Sequence, residues 1–498
     1  MKKIGNKMAS GAVWMVSFKM VERSLGFIST LILARLLVPS DFGLIAIAMS
    51  IVSFLELLGD FSFDMVLISK PGAERHHYDT AWTFNVVVGV VSGLVLLAMA
   101  FPLSVFFKEP RLENVIYALS LASLLQGFQN IGVVEFRKEM HFRKEFQFMA
   151  SKKLAGFLVT IPMAIITKSY WALVVGILAL RVAGVALSYL VHPFRPRLSL
   201  TGKTDLLHFS KWLLINNIVS FFRLRSGDIV LGRLAGPYAL GLFNIAFEIA
   251  TLPATEMIAP INRAVFPGYA KLASDLSELR RHYLQVIGLI AIIALPAAVG
   301  LSLTAELFVP ILLGPKWIEA IVLVQILALY GALLAMQSNS GVLFIALGKP
   351  RTMTLLGSIA LSLLIPLLLF LSGRYGSIGA ATAFLSTAIL IASLNFHLVR
   401  RNLKIRVVEY IGIIWRPLLA TVSMAVVVIC LRWRLPSAVA LEQQTIQLGI
   451  LVVAGAATYV FSIWISWILS GKPDGAEKSV IEYLRPKLRH RLADTPAE

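Results

Sequence analysis

The chain has 498 residues, 58% of them hydrophobic and 15% charged, with a formal net charge of +19. Long apolar runs recur from one end to the other, which excludes a soluble enzyme and marks an all-α membrane protein. The basic residues lie in short clusters between those runs, the pattern of cytoplasmic membrane loops, so nucleic acid is not the expected partner.

Taken from the N-terminus, the chain opens on a basic stretch, MKKIGNKMAS. The segment behind it carries Lys19, Glu22 and Arg23. A cleavable signal would not hold charges there, so this is read as the first spanning helix. Fourteen runs reach the roughly 20 residues needed to cross a ~30 Å core at about 1.5 Å rise per residue. Their approximate limits are 10–37, 42–68, 80–107, 113–136, 146–167, 171–191, 212–234, 239–265, 283–309, 320–346, 352–371, 376–398, 409–431 and 447–469. Of the 46 Lys and Arg, 28 fall at the termini and in even-numbered gaps, seven in odd-numbered gaps and eleven inside spans. That bias predicts both termini in the cytoplasm.

Leu33 to Ala48, LARLLVPSDFGLIAIA, recurs as Leu231 to Ala246, LGRLAGPYALGLFNIA, with eight of sixteen positions identical. Arg35/Arg233, Pro39/Pro237 and Gly43/Gly241 are the informative matches, since Leu and Ala coincide cheaply in an apolar chain. An offset of six spans preserves direction, so the repeat predicts two parallel, pseudo-symmetric six-helix bundles. The expected domains are 1–191, a cytoplasmic linker at 192–211, a second bundle at 212–398, two appended helices at 399–470 and a basic tail at 471–498. The tail carries Val480, Ile481, Leu484 and Leu488 and would either lie on the inner leaflet or be solvated. Trp82, Trp171, Trp212, Trp317, Trp415 and Trp433 fall near span ends, as interfacial anchors do.

Ionisable residues in mid-span are the candidate site. Each costs about 2.5–3.5 kcal/mol at the bilayer centre, so they are expected to face one another or a wet cavity. Lys19, Glu22 and Arg23 share one face of the first span, and Glu56, Asp60 and Asp64 share one face of the second. Lys19 and Asp60 lie at a depth of about 12–13 Å, and Arg23 and Glu56 at about 18–20 Å, which predicts the pairs Lys19–Asp60 and Arg23–Glu56. Span 6 carries Arg181, too far from either end to reach water. Spans 7 and 8 carry Arg223, Arg225, Asp228, Glu248 and Glu256, with Arg223 and Glu256 at similar depth, roughly 15 Å. Lys19, Arg23, Arg181, Arg223 and Arg225 outnumber the deep carboxylates, an excess that suits an anionic ligand. Glu22, Glu56, Asp60, Asp228 and Glu256 would form charge pairs or exchange a coupling cation. Arg35 and Arg233, at helix ends, are read as snorkelling. Pro102, Pro162, Pro253, Pro260, Pro296 and Pro366 lie inside spans, and Pro253 and Pro260 bracket Glu256, making span 8 a candidate hinge.

No metal site is expected: Cys430 is the only cysteine, and the eight His are scattered. A membrane glycosyltransferase or polymerase would need larger outer loops than the roughly four to fifteen residues predicted here, and no nucleophile with a base is visible.

LILARLLVPSDFGLIAIA, followed by a span with Glu56 and Asp60, resembles the N-terminal signature of the Wzx-type polysaccharide flippases of the MOP superfamily. EFRKEMHFRKEF (Glu135 to Phe146) is similar to a loop of their colanic acid and teichuronic acid branch. LAGPYALGLFNIA and LLGPKWIEA (Leu312 to Ala320) resemble the start of that family's second half and one of its outer loops. The resemblance implies a fold like those of MATE and MurJ transporters, with a central cationic cavity. It implies alternating access for an undecaprenyl-pyrophosphate-linked anionic oligosaccharide in the bacterial inner membrane. No cofactor is implied beyond H+ or Na+ coupling. The partners would be membrane lipids, a polysaccharide polymerase and a chain-length regulator. The alternative within the superfamily is a cation-coupled multidrug antiporter, against which an Arg-rich interior argues.

Overall fold

A computed structural model describes residues 2–59, 63–69, 73–201, 203–436, 440–473, 475 and 477. Side chains are described throughout these except at 2–13, 15, 16, 65, 66, 69, 203–220, 223 and 224. Every regular element among the described residues is helical: α1 (Lys2–Leu36), α2 (Pro39–Gly59), α3 (Phe63–Ser69), α4 (Arg75–Phe107), α5 (Arg111–Gly127), α6 (Glu135–Lys138), α7 (Phe142–Thr167), α8 (Trp171–Val191), α9 (Lys203–Leu252), α10 (Ala259–Leu272), α11 (Leu276–Leu313), α12 (Ala320–Ala346), α13 (Pro350–Leu403), α14 (Val407–Arg434) and α15 (Leu441–Leu469). Ten helices among the described residues are long and apolar enough to cross a membrane.

The two longest helices are not single rods. At Gly236 (φ 79°, ψ 177°) α9 leaves helical geometry, and at Gly376 (φ 56°, ψ −130°) α13 does the same. A side chain at either position would collide with its own backbone, so glycine is what permits the breaks. They fall at the predicted boundaries between spans 7 and 8 and between spans 11 and 12. Between α9 and α10, Pro253–Ile258 forms a π-helical turn. Pro253 and Pro260 cannot donate to the helix ladder, and the wider turn accommodates their rings. Pro102, Pro162, Pro296 and Pro366 lie inside helices that continue past them.

The chain divides into two compact units, Met1–Asn244 and Ile245–Glu498. In the first unit α4 packs on α5, and α7 packs on both α1 and α8. Among its described residues, one small core is Phe63, Leu67, Tyr78, Ala81, Ile131 and Val134, and another is Leu33, Leu37, Ala164 and Ala172. The segment after α8 is stitched to the same unit. Arg197 N donates to Asp79 Oδ1 at 2.8 Å, Ser199 N to Thr83 Oγ1 at 2.9 Å, and Asn130 Nδ2 to the Phe194 carbonyl at 2.7 Å. In the second unit α11 packs against α12, α14 and α15, and α12 against α13.

The two copies of the repeated stretch touch inside the first unit. A Cβ placed on Gly43 would overlap the Pro237 carbonyl and stand 2.9 Å from Gly241 N. One placed on Gly241 would overlap the Pro39 carbonyl and stand 3.0 Å from Gly43 N. The contact is reciprocal, so the matched Pro and Gly of each copy meet the Gly and Pro of the other. Nearby, Arg111 Nε bonds Glu109 at 2.7 Å, and its Nη1 lies 3.7 Å from Asp41, tying the α4–α5 connection to the start of α2.

The tryptophan expectation needs one correction. Trp433 and Trp415 are exposed, but Trp317 is fully buried. It sits in a short 3-10 turn, Pro315–Trp317, between α11 and α12, and the indole fills that corner instead of facing an interface.

Candidate functional site

The charged groups of the first unit converge where α2, α5, α7 and α8 meet. Glu56 on α2 pairs with Arg181 on α8 at 2.7 Å, with the Arg181 side chain 15% exposed and that of Glu56 32% exposed. Arg181 Nη1 also donates to Gln126 on α5, while its buried Nε has no hydrogen-bond partner among the described residues. Lys152 on α7 lies within electrostatic reach of Arg181, Lys153 and Glu22. The result is an arginine with two of its three nitrogens bonded and a lysine within electrostatic reach, both partly buried. Such a pair favours an anion.

Glu56 therefore takes Arg181 as its partner, not Arg23. The depth argument set Glu56 level with Arg23, but residues on several helices compete for one carboxylate, and helix rotation decides among them. Lys19 bonds Glu22 within α1 at 2.7 Å, and both side chains are partly exposed. Asp60 and the side chain of Arg223 lie outside the described residues, and with them the expected pairs Lys19–Asp60 and Arg223–Glu256. Arg225 pairs with Asp228 at 2.9 Å, and the buried Asp228 also accepts from Ser50 of α2 at 2.9 Å. That carboxylate joins α9 to α2. Glu256 is exposed on the π-helical turn and accepts from Thr255 at 3.1 Å. Arg233 lies over the Phe106 ring, 5.3 Å from its centroid, a cation–π seat for a residue read as snorkelling.

Sequence reasoning missed three contributors. Lys152 was passed over because it stands near a predicted span end, and Gln126 because a neutral amide carries no signal of its own. The third is a buried ion pair in the second unit. Arg416 of α14 lies 3.3 Å from Glu477, with side chains 5% and 8% exposed. The described part of the C-terminal segment thus returns a carboxylate into the helices. Val480, Ile481, Leu484 and Leu488, on which the leaflet reading of the tail rested, lie outside the described residues.

A cavity of about 630 Å³ opens beside the Glu56 carboxylate, between α2, α4 and α5. Its lining includes Asn85, Ser92, Ser123, Gln126 and Gln129, and Phe221 of α9 closes one side. Among the described residues, no lysine or arginine lines it. Among the described residues, no group of three or more His, Cys, Asp or Glu could hold a metal ion.

The fold is that of known membrane transporters. A lipid II flippase, MurJ, in an inward closed conformation, superposes with a TM-score of 0.72 at 13% identity, covering 91% of this chain and 99% of that one. An inward-facing multidrug resistance MATE family transporter of the MOP superfamily gives 0.56 at 14% identity, over 79% of this chain and 99% of that one. By sequence, the chain is 27% identical over 434 residues to the lipopolysaccharide biosynthesis protein WzxC of Escherichia coli (strain K12), covering 84% of this chain and 87% of that one. It is 22% identical over 466 residues to the teichuronic acid biosynthesis protein TuaB of Bacillus subtilis (strain 168), covering 93% and 96%. Residues 32–322, more than half of the chain, match the family described as polysaccharide biosynthesis protein, and the chain belongs to that family.

Proposed function

We propose that this chain carries an undecaprenyl-pyrophosphate-linked oligosaccharide repeat unit from the inner to the outer leaflet of the cytoplasmic membrane, by alternating access, during surface polysaccharide synthesis. Membership of a polysaccharide biosynthesis family on a flippase-like fold carries the reading. Arg181, with a buried Nε unpartnered among the described residues and Lys152 within electrostatic reach, supports it, because such a group favours a pyrophosphate or an acidic sugar. The 28-to-7 division of basic residues supports cytoplasmic termini. Glu56, Asp60, Glu256, Glu22 and Asp228 are the groups through which H+ or Na+ coupling would act. A polymerase and a chain-length regulator would take over the product outside.

The test is deletion of the gene with complementation. The deletion strain should lose surface polymer and accumulate lipid-linked repeat units. Wild type should restore export, while Arg181→Gln and the double variant Arg223→Gln/Arg225→Gln should not, at normal protein level and insertion. Unchanged polymer in the deletion strain, or altered dye accumulation in its place, refutes the reading and favours drug efflux.

A further inference from the structure

We infer that the cavity between α2, α4 and α5 is a binding subsite for an uncharged sugar ring of the cargo, adjoining the cationic group at Arg181. This deepens the transport reading and rests on it.

Three features of the cavity carry the inference. Most of its described polar lining is amides and hydroxyls, among them Asn85, Gln126, Gln129, Ser92 and Ser123 from α4, α5 and the turn after α5, with the Glu56 and Asp64 carboxylates beside them. Amides and hydroxyls each both donate and accept, which is the complement of a ring of sugar hydroxyls. Ser123 is 3% exposed, lines the cavity, and its hydroxyl has no partner among the described residues. A buried hydroxyl left unpaired costs about 1–3 kcal/mol, so the site is incomplete without an occupant or water. The third feature is Phe221, a buried aromatic wall that meets Phe54 at 5.2 Å between centroids. Aromatic faces beside a few placed polar groups are the usual lining of sites for small organic ligands, which occupy about 300–1,000 Å³.

The other occupants the chemistry allows fit less well. A pyrophosphate has no lysine or arginine to meet among the described lining residues. A bound cation needs oxygens closing to about 2.0–2.6 Å around one point, and the two carboxylates of the lining, Glu56 and Asp64, stand on separate helices, α2 and α3. The Glu56 carboxylate at its edge is, moreover, matched by Arg181. A lipid chain would leave the amides and hydroxyls unpaired.

The experiment titrates purified full-length protein with the free saccharide released by mild acid from the lipid-linked oligosaccharide pool of the cell that makes this chain. The variants are Asn85→Leu and, as an independent second lesion on another element, Gln129→Leu. Inorganic pyrophosphate is titrated in parallel. We expect the saccharide to bind wild type and to bind both variants tenfold or more weakly, with pyrophosphate binding unchanged. Equal saccharide binding by wild type and both variants overturns the proposal, as does no saccharide binding by wild type. Sodium binding that Asn85→Leu abolishes, with saccharide binding intact, assigns the cavity to an ion instead. Failure of the transport reading shows separately, as normal surface polymer in the deletion strain.

Discussion

The reciprocal contact between the repeated stretches makes a prediction that ordinary packing does not. A Cβ on Gly43 would stand 2.6 Å from the Pro237 carbonyl carbon, and one on Gly241 would stand 2.7 Å from that of Pro39. Unstrained carbon contacts lie near 3.5–4.0 Å, so either alanine forces the two backbones apart by roughly 1 Å or more. Overpacking of this kind costs about 1–3 kcal/mol. Both substitutions push on the same interface along the same direction, and each glycine's amide nitrogen lies against the other's added carbon. Once the first alanine has opened the gap, the second finds it already open. The double variant Gly43→Ala/Gly241→Ala should therefore cost about what one single variant costs, about 1–3 kcal/mol. The measurement is a double-mutant cycle on thermal or denaturant unfolding of the purified protein in detergent. It is read alongside the labelling rate of a cysteine placed at Ser40 in a Cys430→Ala background, which should rise in all three variants. Additive costs would mean that the two glycines act at independent sites, and the reciprocal-contact argument would fall.

Other expectations follow from the ion pairs. Arg181→Gln should lower stability by about 1.5–3 kcal/mol, the worth of a hydrogen bond to a charged group, and Glu56→Gln/Arg181→Gln should recover part of it; equal losses would show the pair to be uncoupled. Glu477→Gln leaves Arg416 buried without its carboxylate and should cost about 3–5 kcal/mol, with Arg416→Met/Glu477→Leu close to wild type; a neutral Glu477→Gln contradicts the burial of the pair. The Arg111 hydrogen bond, together with the Arg111 charge, holds the Glu109 carboxyl below its ordinary value of 4.5 against the opposing effect of burial. Its folded-state pKa is depressed, so its contribution to stability is present above pH 4.5 and lost as pH falls through the lower folded value. Glu109→Gln should thus be less stable than wild type at pH 7, and the gap between their melting curves should close on acidification; a constant gap refutes the assignment.

What the sequence made legible was whatever depends on period and composition. The helical runs, the breaks at Gly236 and Gly376, and the distortion around Pro253 and Pro260 all follow from local chemistry that one residue announces. Pairing across helices does not. Depth along a helix can be counted from its ends, which put Glu56 level with a cation. The rotation that turned Glu56 towards Arg181 instead of Arg23 is set by packing that no single helix encodes. Trp317 was misplaced for a similar reason, since closeness to a span end says nothing about whether a neighbouring helix covers it. The lining of the polar cavity was invisible because Asn85, Gln126, Gln129 and the serines are scattered over two helices and a turn, with no shared spacing. Their significance lies in a space between them, and only the assembled helices define a space.

The Arg416–Glu477 pair also sets an order in time. Arg416 precedes its carboxylate by 61 positions, and Glu477 lies beyond the end of α15. At about 5–20 residues per second, roughly 3–12 s separate the synthesis of the two. During that interval the arginine is a nascent charge in an apolar helix, with an insertion cost of about 2.5–3.5 kcal/mol, and the acid of its own helix, Glu409, is paired with Arg280 and Arg406. The Arg416–Glu477 pair can close only after Glu477 has been made. A chain released short of Glu477 would carry an unsatisfied arginine.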